Sequence, residues 1–311
     1  MRFLFLALMA FTMGLEAQAA APMSKAEQTP FRRIKLGAFE VMSLSDGTGD
    51  FPMDKLLIGI KPEEFKKAID KAFMPMPFET SVNAFLINTG TSLVLVDTGA
   101  GNNYFPTMGK LMSSFKASGY TPDQVDAVLI THMHGDHIGG LAADGKMVFP
   151  NATVYADQKE IDFWLSDENM AKAPAEAKPT FEAARAAFTP YKTANKLKGV
   201  PADGKIVPGI TAKATHGHTP GHANYVAESE KQKMVFLGDL VHVGAVQFPN
   251  PSVTIQFDND KKTAEKARKA AFAEAAKEGY WVAAPHLAFP GIGHVRAEGK
   301  GYAFIPAYYS R

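Results

Sequence analysis

Residues 130–140 have the sequence I-T-H-M-H-G-D-H-I-G-G, in which three histidines and one aspartate fall within six positions. The preceding residues, 125–130, are apolar and partly β-branched, which predicts a buried strand that ends where the polar residues begin. Imidazole nitrogens and carboxylate oxygens are the ligands that suit zinc and similar divalent ions. An irregular loop with this spacing could direct its side chains toward two neighbouring metals. The candidate ligands are His132, His134, Asp136 and His137.

A solvated loop that is rich in histidine by chance is the simpler alternative, but three further segments disfavour it. Each follows an apolar run that predicts a buried strand, and together they supply His218 (in T-H-G-H-T-P-G-H), Asp239 and His286. All 9 histidines of the chain lie in or just beyond these four segments. Four strand ends that carry metal-type ligands predict a shared metal site.

Three further polar residues are expected to support the site. Asp97 follows another predicted strand and is expected to orient a ligand by accepting a hydrogen bond, with a simple turn residue as the alternative. His222 and His294 are expected to position other residues or to serve a structural role. His242, three residues after Asp239, is expected near the site.

The elements that must position these residues alternate between strand and helix. Residues 31–51 predict an opening hairpin, residues 55–76 a loop and helix beside the cleft, and residues 171–198 a helical insertion at the surface. The other predicted strands are residues 82–88, 92–96, 148–155, 210–215, 234–237 and 281–284, and the other predicted helices are 107–118, 157–164 and 263–277.

Composition limits the remaining possibilities. A chain of 311 residues with 46% hydrophobic content can bury one large core, and we expect a single domain over residues 21–311. The formal net charge of +1 gives no field that would attract a polyanion, so nucleic acid is not expected as a partner. The absence of cysteine excludes thiolate ligands, disulfides and a cysteine nucleophile.

The first residues predict export. A positive start at Met1-Arg2 is followed by a short apolar stretch and by the small-residue pattern Ala17-Gln18-Ala19, which is typical of a signal peptide over residues 1–20. The mature protein is then expected to be periplasmic or secreted and free of the membrane. A membrane anchor is the alternative, and Glu16 disfavours it because it interrupts the apolar run.

These motifs resemble those of the metallo-β-lactamase superfamily. The matching segments are D-T-G at 97–99, T-H-M-H-G-D-H at 131–137, G-H-T-P-G-H at 217–222, G-D at 238–239, and His286. The resemblance implies an α/β fold, a four-layer αββα sandwich with its metals at one edge of the two sheets. Asp239 and the missing cysteine fit the lactonase and phosphotriesterase branches better than the cysteine-using β-lactamases.

The resemblance also implies how the ligands divide. His132, His134 and His218 would hold one divalent ion and Asp136, His137 and His286 the other, while Asp239 would bridge both. Two zinc ions are expected, close enough to share a water and to lower its pKa toward neutrality, which supplies hydroxide as the nucleophile. Asp136, Asp239 and His242 are the expected catalytic residues, and His242 would bind substrate or assist protonation.

A closer resemblance is to methyl parathion hydrolases and their aryl-lactone-hydrolysing relatives. It rests on residues 41–48, 156–166, 246–248 and 289–302, the last with the sequence F-P-G-I-G-H-V-R-A-E-G-K-G-Y. Where methyl parathion hydrolases tend to have Arg, Leu, Thr and Leu, this chain has Leu56, His242, Ile255 and Phe257. That pattern is similar to hydrolases of dihydrocoumarin. The expected substrate pocket comprises Leu56, Tyr104, Trp164, Phe181, His242, Ile255 and Phe257.

The resulting hypothesis is a binuclear zinc hydrolase of aromatic lactones and aryl esters, with weak phosphotriesterase activity. A phosphotriesterase of the methyl parathion type is the main alternative. A mononuclear iron oxygenase of the same fold and a periplasmic zinc-scavenging protein are less favoured alternatives. The expected partner is a small-molecule lactone, ester or phosphotriester, and a homodimer is compatible with the sequence.

Overall fold

The computed structural model describes residues 31–101, 105–200 and 204–308. The predicted signal peptide and Tyr104 lie outside the described residues. In chain order the strands are β1 (Phe31–Leu36), β2 (Phe39–Phe51), β3 (Leu57–Ile58), β4 (Phe78–Asn88), β5 (Leu93–Val96), β6 (Ala127–Leu129), β7 (Ala142–Ala143), β8 (Lys146–Met147), β9 (Thr153–Asp157), β10 (Leu197–Val200), β11 (Lys205–Val207), β12 (Ile210–Ala214), β13 (Ala223–Ser229), β14 (Gln232–Phe236), β15 (Thr254–Ile255), β16 (Trp281–Ala283), β17 (Ile292–Glu298) and β18 (Gly301–Pro306).

The helices lie between these strands. They are α1 (Met53–Leu56), α2 (Pro62–Lys71), α3 (Leu111–Ser118), α4 (Gly135–Ile138), α5 (Gln158–Trp164), α6 (Asp167–Lys172), α7 (Lys178–Thr193), α8 (Gly244–Gln247) and α9 (Lys261–Glu278). None of the helices in the described ranges is both long enough and apolar enough to cross a membrane.

Most of the strands form two sheets of seven. The first has the order β1-β2-β4-β5-β6-β9-β10 and the second β11-β12-β13-β14-β16-β17-β18. In the first sheet β5, β6 and β9 run parallel, and in the second β14 runs parallel to β16. All four residues of β5, Leu-Val-Leu-Val, are buried, as expected for a strand covered on both faces.

The inner faces of the two sheets pack against each other. One cluster of buried side chains combines residues from both sheets, among them Val94 and Leu129 of the first and Tyr225 and Ala283 of the second. The rings of Phe85 on β4 and Phe236 on β14 meet across this interface at a centroid distance of 5.4 Å. This contact makes the two sheets the central layers of the sandwich.

Helices cover the outer faces. Phe115 of α3 and Trp164 of α5 belong to a buried cluster on the first sheet, and Phe272 of α9 belongs to one on the second. The side chain of Asp260 accepts a hydrogen bond from the Thr263 amide at 3.0 Å and thereby starts α9. The observed order helix, sheet, sheet, helix confirms the predicted αββα fold.

The helical insertion predicted at residues 171–198 is helical over much of its length and mostly exposed, but placing all of it at the surface was wrong. Helix α7 buries Phe181, Ala184, Phe188 and Tyr191 against the first sheet. These residues follow helical spacing, so one face of the helix belongs to the core. The many alanine, lysine and glutamate residues around this apolar stripe favoured the surface interpretation.

This correction predicts different costs for two substitutions on α7. Phe188 is fully buried, so Phe188→Ala should lower the free energy of unfolding by about 3–5 kcal/mol. Glu182 is exposed on the same helix, and Glu182→Ala should change stability by less than about 0.5 kcal/mol. Chemical denaturation of the two variants and the parent measures both values. Equal, small effects would mean that α7 is not part of the core.

Candidate metal centre

The predicted ligands lie at one edge of the two sheets. β5 and β6 are parallel, so Asp97 and the loop that begins at Thr131 leave the first sheet at the same edge. β14 and β16 are parallel too, so Asp239 and His286 leave the second sheet together. A hydrogen bond from the Ala223 amide to the Thr131 carbonyl oxygen, 2.9 Å, joins the two edges. The seven residues brought together are His132, His134, Asp136, His137, His218, Asp239 and His286.

Three imidazole rings form the first donor set. His134 Nδ1 lies 3.1 Å from His132 Nε2 and 3.1 Å from His218 Nε2. Together with Asp239, the ligand atoms of this set lie within 4.8 Å of one another. Three nitrogens and a carboxylate oxygen at such distances match a four-coordinate zinc site.

The second donor set is made of Asp136, His137 and His286. Asp136 Oδ2 lies 3.6 Å from His137 Nε2 and 3.5 Å from His286 Nε2. These three ligand atoms also fall within 4.8 Å of one another. The two sets correspond to the division that the family resemblance implied.

Asp239 lies between the two sets, with one carboxylate oxygen toward each. Its Oδ2 is 3.5 Å from His132 Nε2 and 3.2 Å from His218 Nε2. Its Oδ1 is 3.2 Å from both His137 Nε2 and His286 Nε2. A carboxylate in this position is placed to bridge two cations.

Two buried atoms test whether metal ions fit this centre. His137 Nε2 and Asp239 Oδ1 are both buried and have no hydrogen-bond partner. Buried polar atoms are rarely left unpaired, because losing hydration without replacement costs about 1–3 kcal/mol. Both atoms point toward the second donor set, so a cation there would satisfy both. The residues present therefore fit a divalent ion.

The protonation of the histidines depends on burial and on the carboxylates. Burial lowers the pKa of His134 to about 3 and that of His132 well below its usual value. Burial also opposes charge on His137 and His218, but nearby carboxylates, including Asp239, outweigh it. They raise the pKa of His218 to about 9 and that of His137 well above its usual range. Since metals bind neutral imidazole, metal binding here displaces protons.

The second ring nitrogen of three ligands is held by a fixed acceptor. His137 Nδ1 donates to Asp97 Oδ2 at 2.9 Å, His218 Nδ1 to Asp258 Oδ1 at 2.8 Å, and His286 Nδ1 to the Ser81 carbonyl oxygen at 3.0 Å. Such contacts fix the ring orientation and leave the other nitrogen free for the metal. Asp97 thus has the geometry expected of it.

Asp258 was not anticipated from the sequence. It is a fully buried carboxylate, and Arg268, also fully buried, lies with its Nη2 3.5 Å away from Asp258 Oδ2. The Arg268 Nε also donates to the Leu240 carbonyl oxygen at 2.6 Å, which ties α9 to the segment after Asp239. The sequence signal was weak, because Asp258 lies in a polar loop 40 residues from His218.

Gly238 and His222 fix the backbone at Asp239. Gly238 has a φ of +49°, and a Cβ there would lie 2.4 Å from His222 Nε2, so only glycine fits. His222 Nε2 accepts a hydrogen bond from the Asp239 amide at 3.0 Å. His294 has a structural role. Its ring packs on Trp281 with a centroid distance of 3.9 Å, and its Nδ1 donates to the carbonyl oxygen of Gly279, directly after α9.

A cavity of about 170 Å³ opens onto both donor sets. Beside the ligands His134, Asp136, Asp239 and His286, it is lined by His242, Phe51, Met53, Thr80, Thr180 and Phe257. Sequence analysis placed His242 and Phe257 in the pocket and missed the other four. The hydroxyl of Thr80 and Nδ1 of His242 are buried and have no hydrogen-bond partner. Both residues line the cavity, although these two atoms themselves are shielded from solvent.

Four of the predicted pocket residues do not line this cavity. Ile255 and Leu56 belong to the apolar cluster behind Met53, where β15 pairs with β3. Trp164 and Phe181 pack together at a centroid distance of 4.7 Å within the core of the first sheet. Trp164 lies behind His134, at 5.7 Å between ring centroids, and supports that ligand instead of facing the cavity.

His242 is close to the metal-type ligands. Its Nε2 lies 3.1 Å from Asp239 Oδ2, and its ring stacks on His286 with a centroid distance of 5.2 Å and an interplanar angle of 16°. Burial lowers its pKa, although Asp239 opposes this. A neutral ring that donates from Nε2 to Asp239 presents the lone pair of Nδ1 as an acceptor.

One protein family and several characterised proteins are similar to this chain in sequence. A model described as the metallo-beta-lactamase superfamily matches residues 77–283. The N-acyl homoserine lactonase AiiA of Bacillus thuringiensis subsp. kurstaki is 27% identical over 172 residues, covering 49% of this chain and 60% of that protein. The lactamase-like protein ptaB of Pestalotiopsis fici is 29% identical over 163 residues, covering 51% and 39%. The chain thus matches only about 60% of the length of the lactonase.

Two solved structures match over most of their length. The hydrolase AbOPH, described as in the beta lactamase superfamily, is 38% identical with a TM-score of 0.88 and covers 92% of this chain and 100% of its own. AidC, described as a dizinc quorum-quenching lactonase, is 25% identical with a TM-score of 0.84 and covers 90% and 98%.

The position of Asp239 predicts how two aspartate variants differ. Asp239→Asn should weaken metal binding at both donor sets, because a neutral amide cannot offset the charge of two cations. We expect the metal affinity to fall by at least about tenfold. That is the lower end of the loss caused by removing a residue that only hydrogen-bonds to a metal ligand, and Asp239 is placed to bind the metals directly. Asp136→Asn makes the same chemical change in one donor set and should weaken one site only.

Chelator competition with each variant measures both affinities. If Asp239→Asn weakens metal binding at only one site, or at neither, the assignment of Asp239 as the bridging ligand is wrong.

Proposed function

The chain belongs to the metallo-beta-lactamase superfamily, and we propose that it is a two-zinc hydrolase that opens aromatic lactones and aryl esters. The observation that carries the proposal is Asp239, whose two oxygens face two separate donor sets within a buried centre. A second, complete set favours two metals over the single iron of an oxygenase. AidC, a dizinc lactonase of similar structure, supports the same class of reaction.

The metals and the protein residues have separate tasks. A bound pair of divalent ions supplies Lewis acidity and lowers the pKa of water toward neutrality. The protein fixes the donor atoms through Asp97, Asp258 and the Ser81 carbonyl oxygen, so little reorganisation is needed during the reaction. It follows that the rate depends on residues that never touch the substrate.

The cavity supplies the substrate contacts. Phe51, Met53 and Phe257 form an apolar wall that suits an aromatic ring, and Phe257 is 41% exposed at the opening. On the polar side, Thr80 lines the cavity, and its hydroxyl would have to turn toward the cavity to donate to a substrate oxygen. His242, beside Asp239, is placed to bind substrate, and its Nδ1 would have to take up a proton before it assists protonation of the leaving group.

Shape favours a lactone over a phosphotriester. A lactone carbonyl is planar before it becomes tetrahedral, whereas a phosphotriester is already tetrahedral and brings bulky alkoxy groups. A cavity of about 170 Å³ next to the ligands has little room for such groups. The ring of Phe257 takes up space that the leucine of methyl parathion hydrolases would leave open, whereas the imidazole of His242 is no larger than leucine and makes the cavity wall more polar.

Metal content and activity test the proposal together. The purified protein should contain two divalent ions per chain and hydrolyse dihydrocoumarin or an aryl ester. Chelation should abolish the hydrolysis, and added zinc should restore it, because the chain has no cysteine that could act as the nucleophile in place of activated water. A fully active preparation with one metal per chain, or no turnover of any lactone or activated ester, would contradict it. The latter result would favour a zinc-scavenging protein.

Substrate preference tests the pocket. The parent enzyme should show a higher kcat/KM for dihydrocoumarin than for methyl parathion, with an N-acyl homoserine lactone as a third substrate. Replacing Leu56, His242, Ile255 and Phe257 by Arg, Leu, Thr and Leu should shift the ratio toward the phosphotriester by about tenfold or more. His242→Leu with Phe257→Leu should account for most of the shift, since only these positions line the cavity.

The matched control is Leu56→Arg with Ile255→Thr. Comparing the ratio of kcat/KM values removes any loss of metal that both substrates share. A parent enzyme that prefers methyl parathion would replace the lactonase proposal with the phosphotriesterase alternative. A shift caused mainly by the control pair would show that the cavity wall does not set the preference.

A further inference from the structure

Glu160 on α5 is a buried carboxylate that the proposed reaction does not use. It is fully buried in the core of the protein. Its Oε1 accepts hydrogen bonds from the Met133 amide at 2.8 Å and from Trp164 Nε1 at 2.7 Å. Its Oε2 accepts from the Thr219 hydroxyl at 2.8 Å and from the Gly221 amide at 2.8 Å. Each oxygen therefore faces two donors.

Three of these donors belong to the two loops that supply the first donor set, and the fourth, Trp164, lies on α5 itself. Met133 lies between His132 and His134, and Thr219 directly follows His218. The two loops come from different sheets, yet their ring nitrogens approach within 3.1 Å of each other. The Glu160 carboxylate thus connects the two ligand loops. The distance between these loops decides whether the three imidazole nitrogens of the first donor set can bind one metal.

The arrangement accepts an ionised carboxylate and excludes close substitutes. All four contacts are donors, three of them N–H groups that cannot reverse. A glutamine side chain would have to turn its NH₂ group toward at least one N–H group, whichever way it lies. A protonated carboxyl would keep the four contacts only with its hydrogen on Oε2 and the Thr219 hydroxyl reversed. An ionised carboxylate satisfies all four donors as they stand.

The packing leaves the loop no room to move toward the helix. A Cβ at Gly221 would lie 2.2 Å from the Glu160 amide nitrogen, so loop and helix are in direct backbone contact. Among the ion pairs found in the described ranges, none includes Glu160. Its negative charge therefore adds to that of Asp239 and Asp136 and favours cations in the adjacent centre.

We propose that Glu160 is a positioning residue for the metal held by His132, His134 and His218. It sets the separation of the two ligand loops and contributes negative charge near the ion. The inference rests on the proposed two-metal function. It implies that one site of the pair, not both, depends on a side chain in the helix that follows β9.

The test is the metal affinity of Glu160→Gln, measured without substrate. Competition with a chromophoric chelator gives the two zinc affinities of the parent and the variant. We expect the affinity of one site to fall by about 10- to 100-fold, the usual cost of losing a contact that orients a ligand. The other site should change much less. Absorption of the cobalt-substituted protein should show altered coordination at one of the two ions.

Asp46→Asn is the matched control. Asp46 is also fully buried and accepts hydrogen bonds from backbone amides, those of Ala100 at 2.8 Å and Leu111 at 2.8 Å. Neither donor is next to a predicted metal ligand. Asp46 lies close enough to Asp136 of the second donor set for their charges to interact. The variant should therefore lower the melting temperature of the metal-free protein and leave the affinity of the site held by His132, His134 and His218 unchanged. This comparison separates a general loss of stability from a specific loss of metal positioning.

Thr219→Val covers the case in which Glu160→Gln does not fold. It removes one donor and nearly preserves the side-chain shape, and it should weaken the same site by a smaller factor. Parental affinities at both sites in Glu160→Gln, or in Thr219→Val if that is the variant that folds, would overturn the inference. Because zinc affinity is read without turnover, a parent enzyme that binds two metals but hydrolyses no lactone would reject the proposed function alone.

Discussion

The structure depends on negative charge held in a buried place. Asp239 is 3% exposed and lies among five histidine nitrogens, and Asp136 adds a second carboxylate nearby. Burying such charges is costly unless cations or hydrogen bonds compensate for them, and Asp239 Oδ1, like His137 Nε2 3.2 Å away, makes no hydrogen bond. Two divalent ions would supply the missing interaction. The surrounding loops hold these donors close together despite the free-energy cost of burying their charges.

The two-sheet sandwich makes this possible because each sheet contributes part of the centre. The first sheet supplies the loop of His132 to His137, and the second supplies His218, Asp239 and His286. Hydrogen bonds across the junction fix their relative position. The Asn83 side chain on β4 donates to the carbonyl oxygens of Pro285 and Leu287, both at 2.9 Å, on either side of His286. Glu160 makes the corresponding connection on the other side of the centre.

The sequence was most informative where a residue that can bind a metal directly follows an apolar run typical of a buried strand. Buried strands that end in histidine or aspartate predicted a shared metal site, and all seven ligands lie at one edge; the family resemblance implied the αββα layers. Residues that act across the fold were harder to predict. Asp258 and Glu160 are ordinary acidic residues locally, and only the tertiary contact with His218 or with the Met133 amide reveals their position. The pocket was partly mispredicted because Ile255 faces the core, a direction that substitution patterns do not specify.

The most direct measurement of the central claim is a crystal structure of the zinc-loaded protein with anomalous diffraction at the zinc edge. Two anomalous peaks are expected about 3.5–4 Å apart, the usual spacing of paired catalytic metals, with one Asp239 oxygen bound to each. His132, His134 and His218 should surround one peak, and Asp136, His137 and His286 the other. A single peak, or two peaks that Asp239 does not join, would contradict it.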